Sequence, residues 1–266
     1  MSTMRIHKYL VAASNEVKLN FKYRANLLVS VSYIIFPFLA YAFLWAAVYR
    51  HGGQIGNYSG NQMLTYYLFV LVIGGTMPIF AYSDISKSIK NGDLSYFLIR
   101  PISFVGYYYS VLFGASVMWL IAHIIGVLPL LIFFKDKIIL PGVQDLLWGV
   151  VFYIVAHALA FMAGVIFNLL SFWVGNPYGF SQLWAFTIGL LGGEVLPLDL
   201  IPVGQVLNYL PFKFIFYVPI QVLVGRMALS DKLSNLFVGI VWILVLRAIV
   251  QLMWLAGLKR YEAVGG

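Results

Sequence analysis

The chain has 266 residues, of which 62% are hydrophobic and 10% charged, and its mean hydropathy is +0.91. A water-soluble fold of this size cannot bury so much apolar surface, so the composition predicts an integral membrane protein. The net charge of +8 lies beside apolar runs, where basic residues meet lipid headgroups, and we expect no nucleic-acid partner. The absence of cysteine excludes disulfides and thiol catalysis, and the four histidines show no metal-ligand spacing, so no metal site is predicted.

Residues 1–24 carry five basic side chains and an apolar residue every three or four positions, as in Ile6, Leu10 and Phe21. This spacing predicts a helix that lies in the membrane interface, with a disordered basic tail as the alternative. The first apolar run after it is long enough to span a bilayer. We therefore interpret it as a retained helix and not as a cleaved signal peptide.

Six spanning helices are predicted from the apolar runs and the turn signals between them. They cover residues 25–48, 63–82, 104–134, 146–174, 181–196 and 235–258. The segment 197–232 is too apolar for an ordinary loop and too often interrupted by proline for a clean span. We expect re-entrant or interfacial half-helices there, with one additional kinked helix as the alternative. The fold class is all-α integral membrane, and residues 1–266 form a single transmembrane domain.

The distribution of Lys and Arg predicts the orientation of the chain. In the six-span arrangement ten of these residues fall on the side of both termini and six on the other. Because basic residues favour the cytoplasmic side, both termini are expected in the cytoplasm, in a multi-pass protein of a prokaryotic inner membrane. Membrane lipids are then obligatory partners.

Two ionisable groups in the apolar segments are candidate pathway or intramembrane polar residues. Arg247 lies in the middle of the last span, where a cation costs at least about 2.5–3.5 kcal/mol. It is expected either to pair inside the bundle or to meet substrate. Glu194, at the end of the fifth predicted span, is a possible partner, or it lies at the outer mouth. His123 and His157 are expected to bond to neighbouring helices.

The segment 84–100 is the one extended polar stretch between predicted spans. Ile85 and Ile89 fall on one face of a short helix, with serine and lysine on the other face and Gly92 at the exit. Such a helix can insert into a groove on a soluble partner. A solvated connector is the alternative.

This segment resembles the cytoplasmic loop of ABC-transporter permeases of the type-two exporter superfamily. The matching positions are Ile89, Lys90, Asn91, Gly92, Leu94, Leu98, Arg100 and Pro101. A second stretch, from Gly192 to Leu198 with Ile201, Pro202 and the Leu210-Pro211-Phe212 run, is similar to the re-entrant region of that family. With the six spans, the resemblance covers nearly the whole chain. Glu194 is a departure, because many relatives carry a small or neutral residue there.

The resemblance implies a permease subunit of an ATP-binding-cassette exporter. Two such chains, identical or paralogous, would form the pathway, and a separate ATPase subunit would bind ATP and magnesium. The sequence has no Gly-x-x-x-x-Gly-Lys-Ser/Thr loop, so no cofactor is assigned to this chain and it is not expected to be an enzyme. The residues implied in ATPase coupling are Ile85, Ser86, Ile89, Lys90, Gly92, Asp93 and Arg100.

The alternative functions are a membrane-embedded lipid-modifying enzyme and an ATP-independent transporter. An enzyme needs polar catalytic groups that converge at one interface. Glu194, Asp199 and Arg247 are too few and too scattered in the sequence to name a reaction. No catalytic residue is therefore assigned.

Overall fold

The computed structural model describes residues 2–22, 24–80, 82–175, 178–202 and 207–261, and the regular elements in these ranges are helices. The α-helices, numbered here in chain order, are α1 (Ser2–Lys22), α2 (Arg24–Val48), α3 (Gly60–Gly74), α4 (Tyr82–Lys90), α5 (Leu94–Leu98), α6 (Phe104–Phe133), α7 (Val143–Leu169), α8 (Tyr178–Leu191), α9 (Tyr217–Leu223) and α10 (Leu229–Leu258). Four short 3-10 turns lie between them, at Pro78–Phe80, Leu170–Phe172, Leu198–Leu200 and Pro211–Phe214.

Four of these helices are long and apolar enough to cross a membrane: α2, α6, α7 and α10. They correspond to the first, third, fourth and last predicted spans, which confirms an all-helical membrane protein. The helices α3 and α8 have 15 and 14 residues, so each is only about 22 Å long at 1.5 Å per residue. Neither alone matches the roughly 30 Å hydrocarbon core.

The second predicted span is not one continuous helix. It was expected to run to residue 82, but α3 ends at Gly74 and a 3-10 turn at Pro78–Phe80 leads into α4. Pro78 has no backbone N–H to donate, and the hydroxyl of Thr76 donates to the carbonyl of Ile73 at 2.8 Å. The sequence therefore stays apolar where the helix is interrupted between α3 and α4, so hydropathy alone does not predict the interruption.

The fifth predicted span is also shorter than expected. α8 ends at Leu191 and not at residue 196, because Gly193 adopts a φ of +92°, which a helix cannot contain. In the following segment, 197–232, the described residues before α10 contain 3-10 turns and the seven-residue α9, none of them long enough to span. α9 is almost wholly buried against α7 and α3.

Helix α7 is the centre of the bundle. Within its apolar window 56% of the residues are buried, compared with 17–33% in the other three long helices. It packs against α4, α8, α9 and α10. Small residues such as Ala156, Ala160 and Gly164 allow these close contacts, and the largest apolar cluster of the described chain forms around them.

Helix α1 packs along the first part of α6. The backbone N–H of Ser103 donates to the hydroxyl of Tyr9 at 3.0 Å. Gly114, ten residues into α6, faces the backbone of Ala13 so closely that a Cβ would lie 2.5 Å from its carbonyl oxygen. α1 therefore leans against α6 instead of lying only across its end, and Ile6, Leu10 and Phe21 remain exposed.

The polar connections gather at the two ends of the bundle. At one end, here called the basic end, Lys8 donates to the carbonyl of Pro101, and Tyr261 donates to the carbonyl of Gly92 at 2.8 Å. At the opposite end Tyr58 donates to Asp199 at 2.7 Å, and Asn61 donates to the carbonyl of Asp136 at 3.2 Å. α1, the segment 84–103, the turn after α7 and the end of α10 thus share one end. The loops around Tyr58 and Asp136 lie at the other.

Candidate functional site

The apolar face of α4 is buried inside this chain. Ile85 is fully buried and Ile89 is 5% exposed, and both belong to a cluster with Phe161 and Val165 of α7. Neither isoleucine is therefore exposed on the surface of this chain, and their predicted contact with an ATPase partner stays a prediction. The two isoleucines do form an apolar face on α4, as the spacing predicts, but α7 of the same chain covers that face.

The serines of α4 also make internal contacts. The hydroxyl of Ser86 lies 2.6 Å from that of Ser171, and the hydroxyl of Ser88 lies 2.6 Å from that of Tyr108. Ser86 is 8% exposed, so it too lies within the chain, and its predicted role in coupling stays a prediction. The predicted end of this helix is confirmed, since α4 stops at Lys90 and Gly92 follows with a φ of +84°.

The exposed apolar side chains of the segment 84–100 lie in α5 and directly after it. Leu94 anchors this short helix with no exposed surface, whereas Tyr96 is 61% and Ile99 82% exposed. We call Tyr96, Leu98, Ile99 and Arg100 the docking tip. Sequence reasoning missed its apolar members because a five-residue helix is too short to show periodicity. Asp93 and Arg100 remain exposed as an external contact requires, while Lys90 is half-buried.

A cavity of about 640 Å³ opens at the basic end, between the start of α6, α7 and α10. We call it the basic cavity, because Arg100 and Arg247 both line it and no Asp or Glu does. Among the described residues neither guanidinium forms an ion pair. Arg247 lies eleven residues before the end of α10, which is about 16 Å along the helix.

Glu194 lines a different cavity, of about 920 Å³, between α2 and α8. We call it the α2–α8 groove. Tyr67 stacks on two other rings along its wall. Its ring centroid lies 4.3 Å from that of Tyr41 and 5.4 Å from that of Trp45. In the described part of the chain, the buried indole Nε1 of Trp45 has no hydrogen-bond partner. The pairing of Glu194 with Arg247 that the sequence allowed is not formed, because the two residues line separate cavities.

A polar cluster at the opposite end was not anticipated from the sequence. The guanidinium of Arg226 lies 3.6 Å from the ring centroid of Tyr58 and 3.8 Å from a carboxylate oxygen of Asp199. The amide of Gln221 donates to the hydroxyl of Tyr58, which itself donates to Asp199. Burial and the Asp199 carboxylate both raise the pKa of Tyr58 well above its ordinary value. This cluster ties the first loop to the segment before the last helix.

The two intramembrane histidines bond to neighbouring helices, as predicted. Nε2 of His157 lies 3.0 Å from the hydroxyl of Ser116, and Nδ1 of His123 lies 3.3 Å from the carbonyl of Val72. Within the described ranges, no group of three or more His, Asp or Glu side chains could hold a metal ion.

The comparison with protein-family models decides the class of the protein. Residues 35–265 match a model described as ABC-2 family transporter protein. The chain belongs to the ABC-2 transporter family. The resemblance seen in the sequence is thereby confirmed, and the matched range contains both the docking tip and the two cavities. No curated protein matches this ABC-2 chain.

Proposed function

We propose that this ABC-2 chain is the transmembrane permease subunit of an exporter that is driven by a separate ATPase subunit. The family match over residues 35–265 is the observation that carries the proposal. The exposed docking tip supplies a contact surface for the ATPase, which would bind and hydrolyse ATP with magnesium. Two permease chains, identical or paralogous, would complete the pathway.

The proposed topology has six crossings, with both termini in the cytoplasm of a prokaryotic inner membrane. In this arrangement α3, the turn at Pro78–Phe80 and α4 together make the second crossing, which spans residues 60–90. α8 and the loop after it make the fifth, and the region before α10 re-enters the membrane from outside. The grouping of the termini with the segment 84–103 at one end supports this sidedness.

The docking tip takes the place of α4 as the proposed coupling element. Ile99 and Tyr96 are apolar side chains held out from the protein on an anchored helix, which is the form of an interface anchor. Arg100 and Asp93 supply charges beside them. Since Leu94 is buried next to Ile85 in the same cluster, movement of the tip is transmitted to α4 and α7.

The α2–α8 groove is the proposed substrate pathway. Exposed apolar side chains flank it on both helices, including Phe43 of α2 and Phe186 of α8. A second chain placed against these faces would close the groove, and Glu194 would then lie inside. The unpartnered Nε1 of Trp45 offers a further polar contact to a substrate.

The separation of the polar groups favours a permease over a membrane-embedded enzyme. Arg247 lines the basic cavity, Glu194 the α2–α8 groove, and Asp199 a third pocket beside Tyr217. An enzyme would require such groups within reach of one substrate atom.

The test begins with a search of the reading frames beside the gene for a protein with a Walker loop, which is then coexpressed with the chain and tested for copurification. We expect the complex to form with the wild-type chain and to be lost with Ile99→Asp, because a charge replaces an exposed apolar anchor while the fold is untouched. Leu140→Asp is the matched control, since Leu140 is 68% exposed at the opposite end, and it should retain the complex.

The variant Ile89→Asp distinguishes docking from folding. Because Ile89 is buried, a carboxylate there should deplete the chain itself from the membrane. A complex of normal yield with Ile99→Asp would refute the docking tip. If the wild-type chain fails to bind the neighbouring ATPase, the proposed function is refuted.

A further inference from the structure

We propose that the basic cavity binds the phosphate headgroup of an anionic phospholipid from the leaflet at the basic end. Nothing in the proposed permease function requires such a site. The assignment of that leaflet to the cytoplasm depends on the proposed topology, but the binding of the lipid does not.

The charge of the cavity is the first observation. Arg100 and Arg247 come from distant parts of the chain, one after α5 and the other within α10, yet both line this space. The lining contains no carboxylate, and neither guanidinium has an ion-pair partner in the described ranges. Guanidinium groups bind phosphate through two parallel N–H donors, which makes an anionic phosphate the matching ligand.

The depth of Arg247 is the second observation. An arginine about 16 Å from the helix end in an apolar span is costly unless an anion or water reaches it. Arg247 and Gln251, one turn further along α10, are both exposed at the surface of the chain. The cavity is therefore accessible from the lipid side, and its ligand can enter laterally from the bilayer.

The apolar lining is the third observation, and it selects a lipid over a free anion. Phe97, Phe104 and Trp254 line the same space as the two arginines, and Phe104 and Trp254 stack with ring centroids 5.2 Å apart. Inorganic phosphate would leave these surfaces uncovered. A phospholipid covers them with its glycerol and acyl carbons while its phosphate meets the guanidinium groups.

A neighbouring cavity extends the positive surface toward α1. It shares Phe97, Arg100 and Ile102 with the basic cavity and adds Lys8. Lys8 donates to the carbonyl of Pro101, so α1 is fixed beside the site. The two adjoining cavities are thus lined by cations from three parts of the chain: α1, the segment after α5, and α10.

The experiment measures lipid binding to the full-length chain in detergent by native mass spectrometry, with phosphatidylglycerol and phosphatidylcholine as probes. We expect the wild-type chain to bind one phosphatidylglycerol per chain more tightly than phosphatidylcholine. Arg247→Gln should lower the affinity for phosphatidylglycerol about tenfold, the lower limit for loss of a charge-assisted hydrogen bond. It should leave phosphatidylcholine binding unchanged.

Two further variants make the result decisive. Arg100→Gln tests the second guanidinium and should show the same selective loss. Arg260→Gln is the control, because Arg260 follows α10 at the basic end but does not line the cavity, and it should bind phosphatidylglycerol as the wild type does. Wild-type affinity in both Arg247→Gln and Arg100→Gln would overturn the proposal.

Competition with inorganic phosphate separates the two possible sources of the ligand. Millimolar phosphate should not displace phosphatidylglycerol if the apolar lining contributes. Displacement by phosphate alone, or equal binding of the two lipids, would overturn the assignment to an anionic lipid. None of these outcomes depends on the ATPase complex, so failure here is distinguishable from failure of the proposed function.

Discussion

At the scale of single residues, Gly193 forms the backbone turn that follows the end of α8. Its φ of +92° turns the chain away from the helix axis, and its carbonyl accepts a hydrogen bond from the hydroxyl of Tyr66. A Cβ at this position would lie 2.9 Å from that hydroxyl oxygen and 2.9 Å from the Cβ of Tyr217. The turn that places Glu194 over Gly189 therefore requires glycine.

Gly193→Ala is expected to destabilise the protein by about 1–3 kcal/mol, because alanine is strained at this φ and also crowds Tyr66. The measurement is the midpoint of thermal unfolding in detergent. Gly179→Ala in α8 is the matched control: a Cβ there meets nothing within 4 Å and alanine favours a helix, so its midpoint should be no lower than that of the wild type. Equal midpoints for the two variants would contradict the strained turn.

At the scale of elements, the starts of α7 and α10 are joined by an ion pair. Nζ of Lys232 lies 2.6 Å from a carboxylate oxygen of Asp145, and the two side chains are 6% and 24% exposed. Asp145 is also in the first turn of α7, where a negative charge is favoured by the helix dipole. The pair fixes the last helix against the central one at the opposite end.

Asp145→Asn should destabilise the fold by about 3 kcal/mol, because it leaves the buried ammonium of Lys232 without its counter-charge. The double variant Asp145→Leu with Lys232→Met should recover most of that loss, since no charge then remains buried. The measurement is the thermal midpoint of the wild type, of Asp145→Asn and of the double variant. Lys137→Met is the control: Lys137 is exposed at the same end, so its replacement should leave the thermal midpoint unchanged. A double variant as unstable as Asp145→Asn would argue against the ion pair.

The sequence predicts the long helices well and the faces of the short ones poorly. The bounds of α6 and α7 follow from hydropathy contrast to within a few residues, because the polar turns beside them are unambiguous. The stripe formed by Ile85 and Ile89 is visible too, but periodicity does not say whether a partner or the chain's own α7 covers it. The residues that cover the stripe, Phe161 and Val165, lie about 80 positions further along the sequence.

The candidate sites show the same limit. The cost of a buried charge makes Arg247 and Glu194 conspicuous in the sequence. Their neighbours are not visible there, because Arg100 reaches the basic cavity only through the packing of α5 on α6 and the contact of Phe104 with Trp254 of α10. The cluster of Tyr58, Asp199 and Arg226 likewise joins residues from separate segments that share no local pattern.

At the scale of the whole molecule, the two ends of the bundle differ in charge and in contacts. The basic end carries α1, the docking tip and the end of α10, and the opposite end carries the loops around Tyr58 and Asp136. The tertiary contacts alone assign these elements to the two ends. The count of Lys and Arg, which was made from the sequence without those contacts, gives the same assignment. The orientation in the membrane follows if the basic end is cytoplasmic.

Single cysteines test that orientation, since the native chain has none. Asn57 and Asn91 are both exposed, one at each end, so their cysteine variants should differ only in access. A membrane-impermeant maleimide added to intact cells is expected to label Asn57→Cys, and to label Asn91→Cys only after the cells are opened. The reverse pattern would invert the proposed topology.

The burial of α4 against α7 has a consequence for the biogenesis of the protein. Ile85 is synthesised 80 residues before Val165, one of the α7 side chains in its cluster. At about 5–20 residues per second, the ribosome completes that partner roughly 4–16 s later. During this interval the short amphipathic α4 has left the ribosome without the surface that covers its isoleucines. α4 therefore reaches its final packing only after α7 has been synthesised.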